Sequence, residues 1–85
     1  MSEKILFSLE NCTKCIQTKE LIADRDDIQI VTYPHEMSNW TQEQINEANS
    51  HDVFEELQVT APILWVDGTK LVGYLRIRKW LQDNQ

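Results

Sequence analysis

The junction between the first two segments of the chain constrains its fold more than any other feature. Ile5 to Leu9 is a short apolar run with apolar side chains on both sides, as in a central strand covered on both faces. Thr13 to Ala23 follows with a helical pattern, and Ile28 to Tyr33 is a β-branched run that Pro34 ends. The predicted buried face of the helix comprises Cys15, Thr18, Leu21 and Ile22. The chain therefore begins with a strand, a helix and a strand.

Two cysteines lie at this junction. Cys12 and Cys15 are three positions apart at the start of a helix, so their thiols face the same side and can cycle between dithiol and disulfide. We expect Asn11 to be the N-cap, which leaves unpaired backbone N–H groups beside Cys12. Lys14 adds a cation between the two sulfurs. Because such surroundings favour a thiolate, Cys12 is the predicted nucleophile and Cys15 the predicted resolving thiol.

The middle of the chain predicts a helix that is interrupted. Thr41 is the predicted N-cap, Gln44 can return the bond in a capping box, and Trp40 can pack against Ile45 as a hydrophobic staple. The polar residues that follow weaken the helical pattern before it resumes, with Ser50 as a second cap. We therefore expect a break in this helix.

The last third of the chain predicts a hairpin and a final helix. Ile63 to Val66 is an apolar strand, Asp67-Gly68 is a strong turn signal, and Lys70 to Gly73 is the return strand. Tyr74 to Gln82 has helical spacing of its apolar residues. The predicted fold class is α/β, in the order β-α-β-α-β-β-α, with a mixed four-stranded sheet and helices on both faces. Residues 1–85 are predicted to form a single domain.

Composition excludes some functions and favours one compartment. With 14 acidic and 8 basic residues the net charge is −6, so we expect no nucleic-acid partner. The N-terminus lacks the pattern of a signal peptide and no apolar run is long enough to span a bilayer, so we expect a cytoplasmic protein without a membrane partner. A monomer is also expected. In a reducing compartment, paired cysteines more often serve catalysis or metal binding than a structural disulfide.

Four short motifs lie at informative intervals. Besides the Cys-x-x-Cys pair, they are Thr18-Lys19-Glu20-Leu21, Thr60-Ala61-Pro62 and Val66-Asp67-Gly68. Together they resemble the thioredoxin-like superfamily, and within it the small glutaredoxins and the glutaredoxin-like redoxins that reduce ribonucleotide reductase. The resemblance covers nearly the whole chain.

The resemblance implies roles for particular residues. Cys12 would be the nucleophile, Cys15 the resolving thiol, and Pro62 would follow a cis peptide bond beside the disulfide. The backbone of Ala61 would then pair with an extended stretch of substrate. The residues that the resemblance assigns to substrate binding are Lys14, Thr60, Ala61, Pro62, Gly73, Tyr74 and Arg76.

Two departures from the family pattern bear on the electron donor. Thr13 and Lys14 replace the usual Pro and Tyr between the cysteines. Gly73 stands alone where glutaredoxins carry Gly-Gly followed by Asp, and Gly73-Tyr74 followed by Arg76 is closer to the redoxins that thioredoxin reductase reduces. Arg76, near a helix start, could still hold a carboxylate. Glutathione and thioredoxin reductase both remain open as the reductant.

The sequence thus predicts a thiol–disulfide oxidoreductase that reduces protein or glutathione mixed disulfides, with ribonucleotide reductase among the candidate substrates. No tightly bound cofactor and no metal site are predicted, and glutathione is left open as a co-substrate. The alternatives are an iron–sulfur or metal carrier that uses the same cysteines, and a non-catalytic interaction domain. Lys19 is expected to be a solvated helix charge, and His35 and His51 to be surface or loop residues.

Overall fold

A four-stranded sheet lies between two layers of helices. The structure is a computed structural model that describes residues 3–84; Met1, Ser2 and Gln85, which the predicted domain includes, lie outside the described residues. The elements are β1 (Lys4–Leu9), α1 (Thr13–Leu21), β2 (Gln29–Tyr33), a 3₁₀ turn (Met37–Asn39), α2 (Gln42–Ser50), α3 (Phe54–Leu57), β3 (Ile63–Val66), β4 (Thr69–Val72) and α4 (Tyr74–Asp83). The predicted order is confirmed, with α2 and α3 as the two parts of the interrupted helix.

The sheet is mixed, as predicted. Its strand order is β2-β1-β3-β4, in which β1 runs parallel to β2 and antiparallel to β3, and β4 returns antiparallel to β3. In the register, Phe7 lies opposite Val31 on one side and Ile63 on the other. Because β1 and β2 are parallel, the segments that follow Leu9 and Tyr33 leave the sheet at the same edge.

Side-chain alternation in the central strand β1 divides the core into two halves. Phe7 belongs to a cluster with Ala48 of α2 and Leu57 of α3, on one face of the sheet. Leu6 belongs to a second cluster with Ile77 of α4, on the opposite face. All five residues are almost fully buried. Helices therefore cover both faces, as the alternation of apolar residues predicted.

The interrupted helix follows its sequence signals, with one exception. The Thr41 hydroxyl accepts from the Gln44 N–H at 3.2 Å, and the Gln44 side chain accepts from the Thr41 N–H at 2.9 Å, which is the predicted capping box. Ser50 does not cap the next helix, because its hydroxyl donates to the Glu47 carbonyl at 2.8 Å. Val53 occupies the N-cap position of α3 instead, without a side-chain hydrogen bond.

Helix α1 is shorter than predicted and its buried face is narrower. It ends at Leu21 rather than Ala23, and Leu21 is 43% exposed. Cys15, Thr18 and Ile22 are buried as expected. No helix among residues 3–84 is long and apolar enough to cross a membrane.

Candidate active site

The first turn of α1 is capped by a cysteine. Cys12, and not Asn11, occupies the N-cap position, and its Sγ accepts from the Cys15 N–H at 3.2 Å. The expectation for Asn11 was wrong because this residue adopts a left-handed backbone conformation, with φ of 56°, in the turn after β1. The Cys12 carbonyl accepts from the Ile16 N–H at 3.0 Å. The sulfur of Cys12 therefore lies directly at the positive end of the helix.

Cys15 lies one turn deeper and is fully buried. Its Sγ accepts from the Leu9 N–H at 3.4 Å. Burial and the hydrogen bond with the Cys12 side chain raise the pKa of Cys15 to about 12, against the opposing effects of the Leu9 N–H and the Lys19 charge. Both cysteines are free thiols in the structure. At neutral pH, Cys15 is therefore a protonated thiol beneath a partly exposed Cys12.

The Ala61–Pro62 peptide bond is cis, as the resemblance implied. The Pro62 carbonyl accepts from the Gly73 N–H at 2.9 Å, which ties this turn to the start of α4. Within residues 3–84, neither the N–H nor the carbonyl of Ala61 has a hydrogen-bond partner. This stretch of backbone is therefore free to pair with an extended chain.

Two clefts meet at Ala61. The first, which we call the Cys12 cleft, has a volume of about 470 Å³. It is lined by Leu9, Cys12, His35, Met37, Leu57, Gln58, Val59 and Ala61. The second, which we call the Tyr74 cleft, has a volume of about 430 Å³. It is lined by Lys14, Thr60, Ala61, Val72, Gly73, Tyr74, Leu75 and Arg76. All the predicted substrate-binding residues except Pro62, which is buried, thus line one cleft.

The Tyr74 cleft is cationic within an acidic protein. The Lys14 ammonium lies 5.1 Å from the centre of the Tyr74 ring, and Arg76 is exposed. Within residues 3–84, neither cation has a carboxylate within 4.0 Å. Lys70 differs, because Glu56 at 2.9 Å and Asp52 at 3.1 Å neutralise it. The charges available to an anionic ligand beside Ala61 are therefore those of Lys14 and Arg76.

Sequence reasoning placed only Cys12 and Ala61 of the Cys12 cleft in a site and missed its other lining residues, among them two from the segment after β2. His35 and Met37 follow β2, and they reach the site because the parallel pairing of β1 and β2 brings both strand ends to one edge. The sequence signal that could have located them is the β-branched run before Pro34, because it predicts the strand after which they follow. His51 was expected at the surface or in a loop, and it lies in the turn after α2, half-exposed. Its ring also packs between Phe7 and Trp65, with centroid distances of 5.2 and 4.8 Å.

The strand order, the Cys-x-x-Cys at the end of β1 and the cis proline before β3 define a thioredoxin-like α/β fold. Among solved structures, the chain is similar to glutaredoxin 1 from Francisella tularensis, crystallised in complex with cacodylate. The TM-score is 0.59 at 9% sequence identity, over 99% of this chain and 96% of that chain. No protein-family model matches the sequence, and no curated protein matches it. The likeness shows that this chain has the glutaredoxin fold.

Within residues 3–84, no group of three or more His, Cys, Asp and Glu side chains is arranged to hold a metal ion. The iron–sulfur alternative, in which two copies of the chain would share a cluster, is not tested by this observation and stays a prediction.

Proposed function

We propose that this protein is a cytoplasmic thiol–disulfide oxidoreductase that reduces disulfides through Cys12 and Cys15. One observation carries the proposal: the Cys12 sulfur caps a helix and opens into a cleft beside the unpaired backbone of Ala61, while Cys15 waits beneath it as a buried thiol. An accessible sulfur at a helix N-terminus is favoured as a thiolate, which is the form that attacks a disulfide. A dithiol that must be regenerated suits a reducing compartment.

The proposed reaction has two exchange steps. In the first, the Cys12 thiolate attacks one sulfur of the substrate disulfide, and the other substrate sulfur leaves as a thiolate that takes up a proton. In the second, Cys15 loses its proton and attacks the Cys12 sulfur, which releases the remaining substrate thiolate. Two electrons pass from the dithiol to the substrate, and a Cys12–Cys15 disulfide remains. A separate reductant then restores the two thiols.

Substrate binding is proposed to use the main chain of Ala61 beside the cysteines and the positive charges of the Tyr74 cleft. The free N–H and carbonyl of Ala61 would form strand-like hydrogen bonds with the residues around the substrate sulfur. Lys14 and Arg76 would hold a carboxylate in the Tyr74 cleft. Thr60, Pro62, Gly73 and Tyr74 would shape that cleft. Main-chain recognition is tolerant of sequence, so it supports protein disulfides or glutathione mixed disulfides as the substrate class.

The electron donor is proposed to be glutathione or thioredoxin reductase, and one comparison separates them. Oxidised protein would be offered glutathione with glutathione reductase, and separately NADPH with thioredoxin reductase. Faster reduction by the flavoprotein would match the isolated Gly73-Tyr74 pattern and would favour ribonucleotide reductase as a substrate. Faster reduction by glutathione would show that Lys14 and Arg76 suffice to bind it without the aspartate of glutaredoxins.

Two serine variants test the proposed function. Cys12→Ser should abolish reduction of insulin and of a glutathione mixed disulfide, because it removes the attacking sulfur. Cys15→Ser is the matched control, since it removes a thiol of the same motif but leaves the first step intact. This variant should accumulate a mixed disulfide on Cys12, detected as a mass increase equal to one substrate thiol. Wild-type turnover by Cys12→Ser would refute the proposal.

A further inference from the structure

The half-exposed Lys19 side chain reaches from α1 across to the edge strand β2. Its Nζ donates to the Thr32 hydroxyl of β2 at 2.9 Å, and that hydroxyl lies 3.0 Å from the Ser8 hydroxyl of β1. Ser8 is fully buried and donates to the Val31 carbonyl at 2.9 Å. The ammonium is thus anchored by a small polar group that crosses two strands. Lys19 is a half-exposed charge of α1, as expected, and it also has a hydrogen-bond partner on the sheet.

The anchor places this charge on the side of α1 that carries the resolving thiol. Lys19 follows Cys15 by four positions, so the two side chains lie on one face of the helix. Ser8 immediately precedes Leu9, whose N–H donates to the Cys15 sulfur at 3.4 Å. One polar stretch of β1 therefore contacts both the sulfur and, through Thr32, the ammonium.

The second step of the proposed reaction creates a charge that few groups can stabilise. Cys15 must become a thiolate while it is buried. Within the described chain, the titratable groups that act on Cys15 are Cys12 and Lys19. Once Cys12 is bonded to substrate it carries no charge, so the remaining stabilising groups are the Leu9 N–H and the Lys19 ammonium. Lys14 is turned toward the Tyr74 ring in the neighbouring cleft.

We propose that Lys19 is a positioning residue for the resolving step, whose anchored ammonium stabilises the Cys15 thiolate as it attacks the mixed disulfide on Cys12. The inference rests on the proposed oxidoreductase function. In this step the Cys15–Cys12 bond forms, the bond from Cys12 to the substrate sulfur breaks, and the substrate leaves as a thiolate. The Cys15 proton passes to solvent, and the Lys19 charge does not change.

A coloured disulfide separates the two steps. Attack of Cys12 on dithiobis(nitrobenzoate) releases one nitrothiobenzoate, and resolution by Cys15 releases a second, so the second phase reports Cys15 directly. Removing the ammonium charge in Lys19→Met should raise the pKa of Cys15. For each unit by which the pKa rises, the fraction of Cys15 present as thiolate falls about tenfold. Because a more basic thiolate is a better nucleophile, part of this loss is recovered, and the rate of resolution falls by about threefold.

Four variants and one background isolate the effect. Lys19→Met should slow the second phase at neutral pH, by about threefold for each unit that the pKa of Cys15 rises, and Lys19→Arg should restore it. Lys79→Met, which removes a lysine charge from an exposed position of α4, should leave both phases unchanged. The first phase, measured in the Cys15→Ser background, should not respond to Lys19→Met. Thr32→Val keeps the charge but removes the anchor, and should slow the second phase less than Lys19→Met.

The outcomes distinguish this inference from the function on which it rests. A second phase in Lys19→Met and Thr32→Val that matches wild type across the neutral range would overturn the role of Lys19 and leave the oxidoreductase intact. Equal slowing of both phases would show a merely structural role and would also overturn it. Absence of any second phase in the wild-type protein would instead refute resolution by Cys15, and with it the proposed function.

Discussion

The two thiols should differ strongly in their reaction with an alkylating agent. Cys12 is partly exposed and lies at a helix N-terminus, whereas Cys15 is fully buried and its pKa is raised to about 12. Iodoacetamide at neutral pH should therefore modify Cys12 first and leave Cys15 almost unmodified in the folded protein.

The size of the difference follows from the protonation of Cys15. Burial raises its pKa from 9.0 to about 12, so its thiolate fraction at neutral pH is about a thousandfold below that of an ordinary cysteine. The more basic thiolate is a better nucleophile, and with a Brønsted coefficient of about 0.4–0.5 this recovers roughly twentyfold to thirtyfold. Alkylation of Cys15 should therefore be at least about thirtyfold slower than that of free cysteine, before its burial is counted.

Peptide mapping can measure both rates in one sample. Trypsin cleaves after Lys14, so Cys12 and Cys15 fall in different peptides and each can be quantified by mass spectrometry as alkylation proceeds. In urea, where the fold is lost, the two rates should converge. Equal rates in the folded protein, or faster alkylation of Cys15, would refute the assignment of Cys12 as the accessible cysteine and Cys15 as the buried one.

Three further predictions concern stability, measured by urea unfolding. Gly73→Ala should lower the free energy of unfolding by about 1–3 kcal/mol. The cause is backbone strain, because Gly73 has φ of 98° and ψ of 154°, and not a clash, because the nearest atom to an added Cβ lies at an ordinary 3.7 Å. An unchanged unfolding midpoint would contradict this. Thr41→Ala should cost about 1 kcal/mol through loss of the capping box, whereas Thr13→Ala, outside any cap hydrogen bond, is the control and should cost less. The pKa of Cys15 is raised from 9.0 to about 12 in the folded state, so the unfolded chain loses this proton first as the pH rises. Between about pH 9 and 12 the wild-type protein should therefore lose stability relative to Cys15→Ser, by up to about 1.4 kcal/mol per pH unit. Parallel curves of unfolding free energy against pH for the two proteins would refute the shift.

Local signals in the sequence predicted much of the fold. Alternating apolar residues around Phe7 predicted a strand buried on both faces, and each face indeed has its own cluster. The Asp67-Gly68 pair predicted the hairpin turn, where both residues have positive φ, 49° and 91°. The Thr41 capping box depends on two residues that are three positions apart. In each case, neighbours in the chain determine the structure.

Features that depend on contacts between distant segments were not predictable in the same way. Asn11 favours both the N-cap and the left-handed turn, and only the path from β1 to α1 decides between them. Lys19 has a partner because the register of β2 places Thr32 opposite Ser8. His35 reaches the Cys12 cleft because two strand ends meet at one edge of the sheet. Such contacts arise from packing that no short motif encodes.

The proposed nucleophile, Cys12, is also the N-cap of α1. The Cys12 sulfur accepts a hydrogen bond from the Cys15 N–H at 3.2 Å. A sulfur in a disulfide is a poorer hydrogen-bond acceptor than a thiolate. In the proposed reaction, covalent capture of a partner should therefore weaken this cap hydrogen bond just before Cys15 attacks Cys12. Hydrogen exchange of the Cys15 amide should accordingly be faster in the mixed disulfide on Cys12 and slower again once the partner has left. The exchange rate at the start of α1 would then report the steps of the proposed reaction.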